Sequence, residues 1–155
     1  MRLAMTLLLG IGAVWAQEAA NMSGTWRLNI QKSVWGKHPK PSNGTITIEH
    51  REPSFKYSGQ VGMGQGSETA DQRSFQFDGT IDGKGYPVTG NAGQESVAMR
   101  RVNGRTIESQ RKGPDGKVIE TDRTTISADG KQLTRSITAM GPTGEMSWTE
   151  FYDRQ

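Results

Sequence analysis

Four charged side chains in the second half of the chain have types and a spacing that could do chemistry. Glu120 and Asp122 are two residues apart, and Arg135 and Glu150 follow further along. Residues two apart on a strand share a face, so the two carboxylates could take part in acid–base chemistry. The more common interpretations are a solvated strand face for the carboxylates and a structural ion pair for Arg135 and Glu150.

The composition offers few residues for a metal site or for a catalytic nucleophile. The chain has two histidines, His38 and His50, and no cysteine, whereas a zinc site usually takes more His or Cys ligands. No serine lies in a nucleophile elbow or a recognisable triad. We therefore predict no catalytic residue, no metal and no cofactor. We expect His38 to be solvated in a Pro-rich segment and His50 to lie at the mouth of the fold, on the face of Ile46 and Ile48.

Short strands are the elements that must position these residues. Turn signals recur at nearly even intervals in the last half of the chain, at Asn103-Gly104, Gly113-Pro114-Asp115-Gly116, Asp129-Gly130 and Gly141-Pro142-Thr143-Gly144. The segments between them alternate polar and apolar residues, which is typical of an antiparallel meander. A long meander must hide its edges, and closure does so. We predict an all-β, antiparallel up-and-down meander of about eight to ten strands closed into a barrel.

The alternation also indicates where the strands lie. Residues 31–43 contain Gly36, Pro39 and Pro41, which disfavour a long helix, so we expect one helical turn near residues 33–36 and then a crossover loop. An extra residue in the alternation at Arg100-Arg101 predicts a β-bulge. The predicted strands cover residues 24–30, 44–51, 54–61, 72–78, 95–102, 105–112, 117–127, 132–140 and 145–152.

The turns predict a side-chain register as well. The pairs predicted across residues 141–144 are Ala139–Met146, Ile137–Trp148, Arg135–Glu150 and Leu133–Tyr152. These pairs are mostly apolar or aromatic, so we expect their face to line the interior. Across residues 129–130, Thr124 meets Arg135, and Asp122 and Glu120 then share that face. An interior that is both apolar and charged suits an amphipathic ligand, because lone buried charges are costly.

The beginning of the chain is predicted to be a secretory signal peptide. Met1-Arg2 supplies a positive start, residues 3–15 form an uncharged apolar run, and Val14-Trp15-Ala16 offers a cleavage site. The run is too short for a stop-transfer helix, although an uncleaved anchor is the alternative. We predict a signal peptide over residues 1–16, a leader over 17–23 and a single β-barrel domain over 24–155.

Composition narrows the location and the partners. Small secreted animal domains usually carry disulfides, so a cysteine-free exported chain indicates a bacterial periplasmic or extracellular protein. The 19 Lys and Arg residues and the 16 Asp and Glu residues are interspersed, whereas nucleic-acid binding needs a clustered basic stripe. We predict no nucleic-acid partner and no stable membrane insertion. A protein partner stays open.

The start of the first strand resembles a known superfamily. Gly24-Thr25-Trp26 resembles the opening of the lipocalins and fatty-acid-binding proteins, the calycins, and the following residues through Lys32-Ser33 resemble small exported bacterial proteins of lipocalin-like type. In calycins this Trp closes one end of the barrel beneath an Arg from a late strand. Trp26 matches that structural plug, and Arg154 is a possible match for the Arg. Residues 31–43 are too short and too Pro-rich for the helical lid of fatty-acid-binding proteins.

The resemblance implies a barrel that binds a small hydrophobic or amphipathic molecule. From its place among Leu133, Ile137 and Trp148, Arg135 is expected to anchor an anionic head group, unless it only pairs with Glu150. Two other classes stay open: an interaction module, such as a protease-inhibitor-like calycin acting through its rim, and an enzyme. A binder predicts a sizeable cavity, whereas an interaction module predicts a filled barrel. The predicted ligand-binding residues are Phe55, Tyr57, Phe75, Phe77, Arg135, Trp148 and Glu150.

Overall fold

Ten antiparallel strands form the protein. The computed structural model describes residues 18–64, 72–90 and 93–155, and no helix occurs within these ranges. The strands close into a barrel in the order β1-β10-β9-β8-β7-β6-β5-β4-β3-β2, so each one pairs with its neighbour in sequence. The prediction of an all-β meander closed into a barrel is therefore confirmed. The strands are β1 (Gly24–Leu28), β2 (Asn43–Arg51), β3 (Ser54–Gly62), β4 (Gln72–Thr80), β5 (Gly85–Gly90), β6 (Glu95–Asn103), β7 (Thr106–Lys112), β8 (Val118–Ile126), β9 (Gln132–Gly141) and β10 (Gly144–Arg154).

Alternation of side chains sets which face of each strand is buried. In β2 every second residue is buried, and Ile46, Ile48 and His50 point inward while Thr47 and Glu49 stay exposed. No strand is predicted between residues 78 and 95, but this region contains the end of β4 and the whole of β5. The predicted signal peptide over residues 1–16 lies outside the described residues.

The predicted register of the last strands is confirmed. Arg135 lies opposite Glu150 and Ile137 lies opposite Trp148 across β9 and β10, and Thr124 lies opposite Arg135 across β8 and β9. The predicted bulge is displaced, because the irregularity falls between Arg101 and Asn103. Arg101 still pairs in register, and the residue between the two is the extra one, next to the turn into β7.

The crossover between β1 and β2 forms no helical turn over residues 33–36, and a backbone hydrogen bond of helical type closes just before them, from the Ser33 N–H to the Asn29 carbonyl at 3.1 Å. Val34 exchanges two backbone hydrogen bonds of 2.8 Å with Thr149 of β10. The Ser33 hydroxyl accepts a hydrogen bond of 3.0 Å from the backbone N–H of Phe151. These bonds satisfy backbone groups that a helical turn would otherwise satisfy internally, and they hold the crossover against the barrel wall where the short β1 has ended.

One end of the barrel is closed and filled. Trp26 and Met22 are both fully buried, and the indole N–H of Trp26 donates to the Met22 carbonyl at 3.1 Å. The Arg154 guanidinium carbon lies 4.3 Å from the centroid of the Trp26 ring, a cation–π distance. Arg154 also donates to the carbonyls of Ser23 at 2.8 Å and Gly130 at 2.7 Å. This geometry ties the leader, β1 and the end of β10 together.

His50 lies at this closed end and is 6% exposed. Its Nδ1 accepts the backbone N–H of Met22 at 3.2 Å, and its Nε2 lies 2.7 Å from a carboxylate oxygen of Glu52. Arg101 also donates to Glu52 and lowers its pKa. The expected place of His50 on the Ile46 and Ile48 face is confirmed, but the end it occupies is the sealed one.

Candidate functional site: a cavity with a buried charge cluster

The other end of the barrel contains a cavity of about 370 Å³. The strand alternation points aromatic, aliphatic and charged side chains into this space together. Near the opening it is bordered by Met63, Arg73, Met140 and Pro142. The structure brings all seven residues of the predicted ligand set onto its wall, namely Phe55, Tyr57, Phe75, Phe77, Arg135, Trp148 and Glu150.

Aromatic rings from two adjacent strands form one wall. Tyr57 of β3 and Phe77 of β4 lie opposite each other in register, and their rings stack at 5.1 Å with an interplanar angle of 5°. Phe55 extends this stack, with its ring centroid 6.2 Å from that of Phe77. Such ordered rings offer flat apolar faces to the cavity.

Arg135 lies at the centre of a buried charge cluster. Its guanidinium Nη2 lies 2.8 Å from Asp122 Oδ2, and its Nη1 lies 3.3 Å from Glu150 Oε2. Only 14%, 11% and 10% of these three side chains are exposed. Asp122 is on β8 and Glu150 is on β10, so strands on both sides of β9 supply a carboxylate.

Neighbouring side chains complete the hydrogen bonding of both carboxylates. Asp122 accepts from the hydroxyls of Ser109 at 2.9 Å and Thr124 at 3.0 Å. Glu150 accepts from the Trp148 indole N–H and the Tyr152 hydroxyl, both at 2.9 Å. The cluster is therefore satisfied without a ligand, as buried polar groups usually are. Of the two expectations for Arg135, this geometry fits the one in which it pairs with carboxylates better than the one in which it anchors an anion.

A contact across the lumen connects this cluster with the aromatic wall. Arg135 Nη1 lies 3.5 Å from the Tyr57 hydroxyl, although β9 and β3 are on opposite sides of the barrel. Burial raises the pKa of Tyr57 to about 12, so the phenol stays protonated at neutral pH. Burial alone would lower the pKa of Arg135, but Asp122, Tyr57 and Glu150 raise it well above its usual value. The guanidinium is thus permanently charged.

A second charged group lies closer to the opening. Arg111 of β7 donates to Glu120 of β8 at 2.7 Å, and its Nη1 lies 3.4 Å from Glu95 of β6. Burial raises the pKa of Glu120, and the neighbouring Asp122 adds to this effect while Arg111 opposes it. The Nε of Arg111 and Oε2 of Glu95 are buried without a hydrogen-bond partner. This group is less complete than the one around Arg135.

The expectation that His38 is solvated is wrong. Its ring stacks on Trp148 with 4.0 Å between the centroids and an angle of 22°. Burial lowers its pKa, so the ring is neutral at pH 7, and its Nδ1 has no hydrogen-bond partner. The structural reason is that β1 ends at Leu28, two residues earlier than predicted, and the crossover then covers the stretch of β10 that β1 does not reach.

Sequence reasoning also missed part of the site. It identified Glu120 and Asp122 as a carboxylate pair, and the structure places both on the cavity wall with different partners. It did not identify Arg111 or His38, since their strand and loop positions carry no motif. In the ranges that the structure describes, no group of three or more His, Cys, Asp or Glu side chains is arranged to hold a metal ion.

The fold and the cavity together define the class of protein. It is a closed ten-stranded antiparallel β-barrel with an internal cavity, an architecture compatible with that of the calycins. No protein-family model matches the chain, and no curated protein matches it significantly in sequence. The described part of the chain contains no helix that is long and apolar enough to cross a membrane.

Proposed function

We propose that the protein is an exported, lipocalin-like barrel that binds one small hydrophobic or amphipathic molecule. The observation that carries this proposal is the cavity of about 370 Å³ inside the barrel. Ligand sites typically have volumes of roughly 300–1,000 Å³ and combine apolar walls with a few polar groups. The stacked rings of Phe55, Tyr57 and Phe77 supply the apolar wall, and the charged groups supply the polar one.

The cavity favours a binder over the two alternatives. An interaction module that acts through its rim has no need of an unfilled interior, and a filled barrel is the expectation for it. An enzyme of the acid–base type needs a reactive side chain whose atoms are free to contact the substrate. Asp122 and Glu150 have their oxygens committed to neighbouring donors, so they support a structural role better than an acid–base one.

Export is part of the proposal and rests on the composition of residues 1–16. Cleavage after Ala16 would begin the mature protein at Gln17, the first residue of the predicted leader, in which Met22 packs at the closed end. N-terminal mass analysis of protein recovered outside the cytoplasm tests this point. Recovery of exported protein that retains Met1 would contradict it.

Displacement of a neutral fluorescent probe tests the binding function. Purified protein should enhance the emission of phenyl-naphthylamine, and native mass spectrometry should detect a co-purifying small molecule. Ala139 faces the cavity from β9, so Ala139→Phe should fill the space and abolish probe binding. Ser136 is exposed on the same strand, and Ser136→Phe is the matched control that should bind normally.

The two variants separate the cavity from the outer surface. Equal probe binding by Ala139→Phe and the parent protein would place the probe elsewhere and contradict the proposal. Absence of any enhancement by the parent protein would contradict it as well.

A further inference from the structure

Carboxylates are concentrated inside the barrel, although the chain as a whole carries a net charge of +3. Within the described ranges, Glu120, Asp122 and Glu150 line the cavity, and Glu95 adjoins them through Arg111. Two guanidinium groups, those of Arg111 and Arg135, face these four carboxylates. Among these six side chains, which are all mostly buried, the carboxylates outnumber the guanidinium groups by two, against the overall balance of the chain.

Each of these guanidinium groups is shared between two carboxylates. Arg135 contacts Asp122 at 2.8 Å and Glu150 at 3.3 Å, and Arg111 contacts Glu120 at 2.7 Å. Around Arg135 and around Arg111, one guanidinium charge is thus paired with two carboxylate charges. Arg73 also borders the cavity, but it is exposed at the opening, where water screens its charge.

An excess of buried negative charge is unfavourable unless something compensates it. Glu120 bears this cost most visibly, since its burial raises its pKa even though Arg111 and Arg135 act to lower it, and Asp122 and Glu150 raise it further. An incoming carboxylate would add to the excess and would lie beside three like charges. A positively charged group would remove it.

We propose that the ligand of this cavity is an amphipathic organic cation, whose ammonium group binds beside Glu120 and whose apolar part packs on the rings of Phe75 and Phe77 that line the same cavity. This inference rests on the proposed binding function and names its ligand class. The aromatic faces suit an organic cation, because an ammonium group is attracted to ring faces as well as to carboxylates. The anionic head group expected from Arg135 alone is disfavoured, because Arg135 already has two anionic partners.

Three ligands with the same tail and different head groups test the inference. Decylamine, decanoate and decanol are titrated against the parent protein below their micelle concentrations, with displacement of the neutral probe as the readout. We expect decylamine to bind at least about tenfold more tightly than decanoate, which corresponds to about 1.4 kcal/mol. Decanol should fall between them. Because this order is measured on the parent protein, it does not depend on any variant folding.

A matched pair of variants locates the cation. Glu120→Gln keeps the shape of the side chain and removes its charge, so it should reduce the advantage of decylamine over decanoate by about tenfold. Glu49 is exposed on the outer face of β2, and Glu49→Gln makes the same change of charge there without altering the order.

The outcomes for the ligand class and for the binding function differ. Decanoate binding as tightly as decylamine, or more tightly, would overturn the inference and leave the proposed function intact. Loss of the decylamine advantage in Glu49→Gln as well as in Glu120→Gln would also overturn it, because the effect would then be one of overall charge. If the probe binds but none of the three compounds displaces it, the inference fails, whereas a parent protein that does not bind the probe contradicts the proposed function itself.

Discussion

The two ends of the barrel differ in how their interior is packed. At the closed end, Trp26 and Met22 are fully buried, and the Trp26 indole and the Arg154 guanidinium donate to backbone carbonyls. At the open end, a cavity of about 370 Å³ remains, and atoms of His38 and Arg111 are buried without partners. Local departures from ideal packing and hydrogen bonding tend to occur at functional sites. The comparison indicates that the closed end supplies stability, and it supports the proposal that the open end is the one that binds a ligand.

Truncating one tryptophan at each end gives the largest expected contrast. Trp26→Ala should lower the free energy of unfolding by about 3–5 kcal/mol, because it leaves a hole in a filled region. Trp148→Ala should cost distinctly less, since its ring already borders open space. Urea unfolding of both variants measures the difference. Equal losses, or a Trp26→Ala loss within error of zero, would remove the distinction between the ends.

Removing the charge of Arg135 should have the next largest effect. Arg135→Met leaves Asp122 and Glu150 buried without their cation, which should cost about 3 kcal/mol, at the low end of the range for broken buried pairs. Arg27 is exposed on β1, so Arg27→Met is the matched control and should change stability little. Stability unchanged in Arg135→Met would show that the guanidinium is not needed to hold the cluster.

The pH dependence of the free energy of unfolding should reveal the raised pKa of the Glu120 carboxyl. Its folded-state pKa is raised above the ordinary 4.5, so its contribution to stability is fully present below that value and is lost as pH rises through the raised pKa. Glu120→Gln cannot titrate, so the variant should gain stability relative to the parent protein over that range. Groups with a lowered pKa, such as Glu52 and Asp153, are present in both proteins, so their contributions to the pH dependence cancel in the stability difference. A stability difference that does not vary with pH would contradict the prediction.

The smallest expected effect concerns His38. Burial lowers its pKa below the ordinary 6.5, so its contribution to stability is present above that value and is lost as pH falls towards the folded-state pKa. Protonation should loosen the stack on Trp148 and change the tryptophan emission in mild acid. His38→Phe keeps a ring without a titrating group, and its emission should lack this transition. The same transition in both proteins would assign it to another group.

Much of the fold could be predicted because its signals are local. The turn at Asp129-Gly130 and the alternation on either side of it place Thr124 opposite Arg135 without any knowledge of the whole chain. The position of the bulge was missed by one residue, because two consecutive polar residues such as Arg100 and Arg101 constrain the alternation weakly. The helical turn expected over residues 33–36 is displaced: a single bond of helical type joins Ser33 to Asn29, and from Val34 onward backbone pairing with β10 overrides local preference.

The sequence by itself determined the all-β class, most of the strands apart from β5, and the face on which their side chains lie, because a period of two and the turn residues act between near neighbours. Only the tertiary structure decided which faces meet across the lumen. Arg135 reaches Tyr57, which is 78 residues away, and His38 reaches Trp148 from a loop, and both contacts depend on how tightly the barrel closes. The excess of carboxylates in the interior likewise follows from closure of the barrel, since burial makes an uncompensated charge on neighbouring strands costly.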